Sequence, residues 1–298
     1  MKCTIQKYLL FFIMLHQTNI CAISIVYSFR IAQITKQPIF EKKDGRNHSL
    51  IGLIFDQYQK KHDGIFENFV GGLGSFIYDF KSYYFRADFA VSHIKEITNH
   101  IPTFSGTKTD DILFTLGRNF IINDRTTLTL SGLFGIPTHR IFRLQHTDFG
   151  YAQIGTGIQF DGSYATNRTS DLLFGARYIH FVPRNALDLL EQKHRFSIGN
   201  IIDFLLAYKK DWDNHHGIEF GSTARFQFGA RIYPNLDDIV KKTNYIRSEF
   251  YLAHKYKFLL KNTSNRLIFY IAYGFDHKPK LFGNKYIVTI WASWNIRF

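Results

Sequence analysis

From Tyr286 to Phe298 the chain alternates between apolar and polar positions. Val288, Ile290, Ala292, Trp294, Ile296 and Phe298 fall on one face, and Thr289, Ser293, Asn295 and Arg297 fall on the other. A repeat of two residues specifies a β-strand with one greasy face, because successive side chains on an extended backbone point to opposite sides. A helix would need a period near 3.6, which this stretch lacks.

The same pattern recurs upstream. Leu267, Phe269, Ile271, Tyr273 and Phe275 alternate with Arg266, Tyr270 and Gly274. Ile218, Phe220, Ala224, Phe226 and Phe228 alternate with Glu219, Thr223, Arg225 and Gln227. Further stripes run through Phe204–Tyr208, Leu172–Tyr178, Ile154–Phe160, Leu128–Ile136, Ile112–Ile122 and Phe85–Val91. Less regular strands are expected over 47–58, 66–78 and part of 245–258. Together they predict about twelve strands of roughly ten residues, the length a tilted strand needs to cross a bilayer. Aromatic residues make up 17% of the chain, which suits a pleated surface.

The N-terminus reads as an export signal. Lys2 and Lys7 precede an apolar run from Tyr8 to Leu15, and polar residues then lead to Ala22. That order is the one of a secretory peptide, with Ile20 a bulky residue before a cut after Ala22. The run is too short for a spanning helix. Acylation at Cys21 is a weaker reading, since Thr18-Asn19-Ile20 lacks small residues. Both cysteines, Cys3 and Cys21, lie in this segment, so the mature chain is expected to have none. Beyond residue 22 no stretch suits a transmembrane helix.

Connectors carry independent information. Phe80–Ser82, Asn123–Arg125, Asp161–Arg168, Lys210–His215 and Lys261–Asn265 read as short turns. Ile94–Asp110, Thr138–Phe149, Val182–Arg195 and Ile232–Asn244 read as longer loops. Short turns on one side and long loops on the other is the asymmetry of outer-membrane barrels. Pro102, Pro183, Pro234 and Pro279 fall in the expected long loops, and Pro137 at their rim. Only Pro38 lies elsewhere. Proline avoids strand interiors because it cannot donate to the ladder. A soluble sandwich would show shorter strands without that asymmetry. The expected fold is therefore all-β: an antiparallel transmembrane β-barrel over 47–298, after a signal peptide over 1–22 and an N-terminal extension or plug over 23–46.

Terminal Phe298, with Trp294 and Ile296 on its face, resembles the signal by which barrels are handed to their assembly machinery. A second resemblance is broader. Leu133-Phe134-Gly135-Ile136-Pro137-Thr138 ends a strand, Gln153-Ile154-Gly155-Thr156-Gly157 opens the next, and Ile198-Gly199-Asn200 follows a hairpin. This core, over about residues 110–230, resembles the outer-membrane transporters of the "MetA-pathway of phenol degradation" family. It departs from them at His139, where the family has Gly, and at Asn200, where an acidic residue is common. The resemblance implies a barrel of about twelve strands and transport of small molecules. It supplies no catalytic residues.

With apolar side chains facing lipid, the alternating partners line a lumen. The charged candidates are Arg86, Asp88, Arg177, Asp203, Glu219, Arg225, Arg231, Arg247, Glu249 and Lys255. Two roles remain open for them: a paired network bracing a closed barrel, or the wall of a wet pore. Cations outnumber acids, so a pore would mildly favour anions.

The formal net charge of +13 is scattered, with no nucleic-acid motif, and points to anionic lipid headgroups instead. Arg118 breaks a lipid-facing stripe; it either turns inward at a bulge or sits near the interface. Tyr178, Tyr208, Tyr286 and Trp294 suit interfacial girdles.

His194 and Ser197 form no recognisable hydrolase motif. His215-His216 reads as a surface turn rather than a metal site, since adjacent strand residues point apart. Gly71-Gly72-Leu73-Gly74 reads as close packing or curvature within a strand. No cofactor is expected. The leading expectation is a bacterial outer-membrane channel or transporter for a small-molecule solute. A closed structural or surface-interaction barrel comes second, and a lipid-modifying enzyme third.

Overall fold

The computed structural model describes residues 48–60, 65–80, 82–98, 101–109, 112–137, 154–187, 193–196, 199–232, 241–260, 263–278 and 284–297. The expected signal peptide and extension, residues 1–46, lie outside the described residues, as does Phe298.

Every regular element described is a strand. In chain order they are β1 (His48–Lys60), β2 (Ile65–Phe80), β3 (Tyr83–Thr98), β4 (Ile101–Thr109), β5 (Ile112–Asn123), β6 (Thr126–Ile136), β7 (Gly155–Asn167) and β8 (Ser170–Phe181). Then follow β9 (Arg184–Leu187), β10 (Lys193–Phe196), β11 (Asn200–Asp211), β12 (His216–Ile232), β13 (Lys241–Leu260), β14 (Thr263–Lys278) and β15 (Asn284–Arg297). All pair antiparallel, and all but β9 and β10 belong to one sheet. β1 is flanked by β2 on one side and by β15 on the other. β2 in turn pairs with β3. β3 pairs with β5 along its first half and with β4 along its second, so β4 and β5 lie end to end against one neighbour.

His48 is in register with both Arg297 and Ile77, so the described chain enters and leaves the sheet at one end. The tight connections between β2 and β3, β5 and β6, β7 and β8, β11 and β12, and β13 and β14 lie at that same end. The expected turns there are found, but strands intrude on them. Asp161–Asn167 belongs to β7, leaving only Arg168 and Thr169 as the turn. Thr263–Asn265 likewise belongs to β14, and Lys210 and Asp211 to β11.

The long loops are corrected further. Ile94–Asp110 is mostly a hairpin: β3 runs to Thr98 and β4 returns over Ile101–Thr109. Pro102 is therefore in a strand, opposite Ile97 next to a register shift, where the ladder is already irregular. Val182–Arg195 contains the β9–β10 hairpin. The loop over Thr138–Phe149 falls outside the described residues.

Alternation decides which side of the wall each residue meets. Phe204, Leu206, Phe220, Phe226, Phe250 and Leu252 are exposed on one side. Their strand neighbours Asp203, Leu205, Glu219, Arg225, Glu249 and Tyr251 are buried on the other. Outer aromatics meet across strands: Phe204 and Phe226 lie 6.1 Å apart edge to face, and Tyr208 and Phe220 lie 5.4 Å apart. Of the glycine run in β2, Gly74 lies directly under the Phe89 ring, which occupies the space a Cβ would need. Gly229, at φ 71, sits at the register break in β12 between Gln227 and Ala230, a backbone conformation suited to glycine.

Candidate functional site

A water-soluble protein buries grease and exposes charge. This wall does the reverse. Nine of the ten charged residues expected on the inner face are buried, from 0% exposure at Lys255 to 7% at Arg225. The side chain of Arg231 lies outside the described residues.

The buried charges meet each other. Asp203 on β11 stands in register between Arg177 on β8 and Arg225 on β12. Nη2 of Arg177 donates to its Oδ2 at 2.8 Å, and Nε of Arg225 donates to its Oδ1 at 2.7 Å. Arg225 is also opposite Arg247, which approaches Glu249 at 3.6 Å. Arg86 and Asp88, two residues apart on β3, bond at 2.7 Å. Lys255 on β13 pairs with Glu219 on β12. Lys209 reaches Asp211 at 3.1 Å and Asp171 at 3.4 Å. Pairing of this kind offsets the desolvation of charges held inside a wall.

Tyrosines complete the network, and the sequence reading did not select them. Tyr251 donates to Glu219 at 2.8 Å, Tyr270 donates to Glu249 at 2.9 Å, and the two rings stack at 5.2 Å. The Tyr84 hydroxyl lies 2.7 Å from Oγ of Ser131. Gln159 donates to Asp161 at 2.8 Å. The signal was present: Tyr84 and Tyr270 occupy the polar phase of their stripes, so alternation places them inside with the charges. The inner wall also carries apolar residues, among them Ile179, Phe181 and Ile201.

No family model matches the chain, and no curated protein matches it. Among solved structures it is similar to an outer membrane channel from Pseudomonas putida, with a TM-score of 0.68 at 10% identity, over 87% of this chain and 99% of that one. It is also similar to the translocator domain of the autotransporter NalP from Neisseria meningitidis, with a TM-score of 0.53 at 11% identity, over 91% of this chain and 95% of that one. The chain shares its fold with these outer-membrane β-barrels. The likeness of residues 110–230 to the phenol-degradation transporters gains no family match of its own; what the solved structures support is the barrel fold.

The remaining expected features take definite places in this barrel wall. Arg118 does not turn inward. It is exposed on the outer face, with its guanidinium 5.3 Å from the Tyr83 ring centre and 5.0 Å from that of Phe120. The bulge in β5 lies beyond it, between Ile121 and Asn123. Trp294 and Tyr178 are exposed at 40% and 38%, and the Trp294 indole donates to Asn265 at 2.9 Å. Ile296 pairs with Ser49 and Asn265 in the ladder.

His215 and His216 sit where a turn meets β12, and both of their backbone N–H groups donate to Asp213 at 2.6 Å. The His216 ring faces His254 across the strands rather than His215. His194 lies in β10, while Ser197 is outside the described residues.

Proposed function

We propose that this chain is a bacterial outer-membrane β-barrel that passes small molecules across the membrane. The observation that carries the reading is the inverted wall: acidic and basic side chains buried on one face, apolar side chains exposed on the other, on a fold shared with an outer-membrane channel. Pairing of β1 with both β2 and β15 supports a closed cylinder, and taking β4 with β5 as one stave supports about twelve. In this reading the short turns are periplasmic, residues 1–22 are removed on export, and residues 23–46 hang from the periplasmic rim or enter the lumen. Trp294, Ile296 and Phe298 present the last strand to the assembly machinery, and outer-membrane lipids cover the apolar face.

The buried ionic residues then line the solute path, and their mutual pairing narrows it. The described buried cations are Arg86, Arg177, Lys209, Arg225, Arg247, Lys255 and Arg266, against Asp88, Asp161, Asp203, Glu219 and Glu249. The excess of cations favours anionic over cationic solutes. Planar-bilayer recording of the refolded mature chain tests this. Discrete openings with a reversal potential on the anion side are expected; openings with cation preference contradict the selectivity.

The ion-paired interior also favours a second reading, a closed barrel braced by Arg177–Asp203–Arg225 without transport. A protein that inserts into bilayers and never conducts supports that reading over the first.

A further inference from the structure

Arg118 differs from the cations inside the wall. Arg86, Arg177, Arg225, Arg247, Lys209 and Lys255 each lie within 4.0 Å of a carboxylate, whereas among the described residues none reaches Arg118. It points outward from β5, between Leu116 at 63% exposure and Phe120 at 37%, in a stripe that meets lipid if the proposed barrel reading holds. Two rings hold it in place: Tyr83 on the neighbouring strand, directly opposite in register, and Phe120 on its own.

Its height along the wall is also fixed. Tyr83 is the first residue of β3, and the Asn119 N–H donates to the Ser82 carbonyl in the β2–β3 turn at 2.7 Å. Arg118 therefore stands level with the β2–β3 turn, while its own strand runs on to Asn123 before turning. An arginine at mid-bilayer on a barrel's lipid face costs roughly 2–4 kcal/mol, but near the interface the cost falls towards zero. In the barrel reading the β2–β3 turn marks the membrane boundary, and the groups within reach of Arg118 there are lipid headgroups. A planar guanidinium steadied by two rings matches the phosphodiester of a phospholipid, which it can engage bidentately.

We propose that Arg118, Tyr83 and Phe120 form a binding site for the phosphate of one phospholipid in the leaflet at the short-turn rim. The rings orient the guanidinium fork, the phosphate supplies the missing anion, and the exposed Leu116 side chain meets the acyl chains. This inference rests on the barrel reading, since it requires the outer face to meet lipid.

The test uses the folded mature chain in detergent, titrated with phosphatidylglycerol and read by native mass spectrometry. The wild type should retain one lipid through gas-phase activation that strips the rest. Arg118→Gln should lose that lipid. Arg118→Lys, which keeps charge but not the planar fork, and Phe120→Leu, which keeps the fork but removes a ring, should each weaken retention by roughly 3- to 10-fold. Folding of each variant is checked by its heat-dependent shift in gel mobility. If Arg118→Gln misfolds, the other two variants decide the outcome.

Equal retention by wild type and the folded variants overturns the site while leaving the barrel standing. Displacement of the lipid by inorganic phosphate overturns the lipid as its occupant. A chain that does not insert into bilayers at all overturns the barrel reading and this site with it.

Discussion

Asp203 holds two guanidiniums at once, one from each neighbouring strand, in a setting where an unpaired charge is expensive. Asp203→Asn would leave Arg177 and Arg225 facing a neutral group inside the wall. Breaking a buried pair by removing one partner costs about 3–5 kcal/mol. A lower urea midpoint in detergent-refolded protein, with an unchanged slope, is the expected result.

A second prediction concerns Asp213, in the turn between β11 and β12. The backbone N–H groups of His216 and then His215 bond its carboxylate, and they hold its pKa below the ordinary value. The folded state thus prefers the ionised form. That preference is fully present above the ordinary carboxylate range, near ~3.9, and is lost as pH falls through the lower folded value. The thermal stabilities of wild type and Asp213→Asn should therefore differ at neutral pH and converge in acid. Parallel curves across the whole range would contradict this.

At the scale of the element, the glycines of β6 and β7 separate close packing from mere tolerance. A Cβ on Gly157 would stand 2.2 Å from the Tyr178 carbonyl oxygen, a backbone atom that moves only with the strand. One on Gly132 would meet nothing within 4 Å. Gly157→Ala should cost about 1–3 kcal/mol of unfolding free energy, while Gly132→Ala should be close to neutral. This gives a physical reason for part of the Gly155-Thr156-Gly157 motif.

Strand existence and facing were legible in the sequence because alternation is a local property. Phe85, Leu130, Phe204, Phe220 and Ile271 lie on the exposed side that their stripes predict. Strand ends were not legible. Thr263–Asn265 and Asp161–Asn167 have turn-like composition, yet their backbones are ladder-paired to neighbouring strands. β4 was missed for the same reason: Ile101–Thr109, rich in Thr and Ser with a proline, is a strand because β3 continues alongside it.

For the molecule as a whole, nine of the ten charged residues named from the sequence are buried on one face, but their pairing could not be read from the sequence. Asp203 binds arginines 26 residues before it and 22 after it, a consequence of register. Alternation fixes the side of the wall and leaves register open, since sliding a strand by two residues keeps every face. Arg118 shows the same limit: its stripe left an inward turn or an interfacial place open, and only the ladder with Tyr83 and the turn beside it fix its side and height.

The central claim is an apolar face in lipid and an ionic face within. Nitroxide labels on single cysteines test it directly, and a chain lacking residues 1–22 contains no other cysteine. In bilayers, labels at Leu206 and Leu252 should collide freely with oxygen dissolved in the lipid and poorly with an aqueous nickel chelate. A label at Thr223, one residue out of phase, should lose the oxygen preference. Nickel access at Leu206 and Leu252 equal to that of a soluble surface residue would contradict the account.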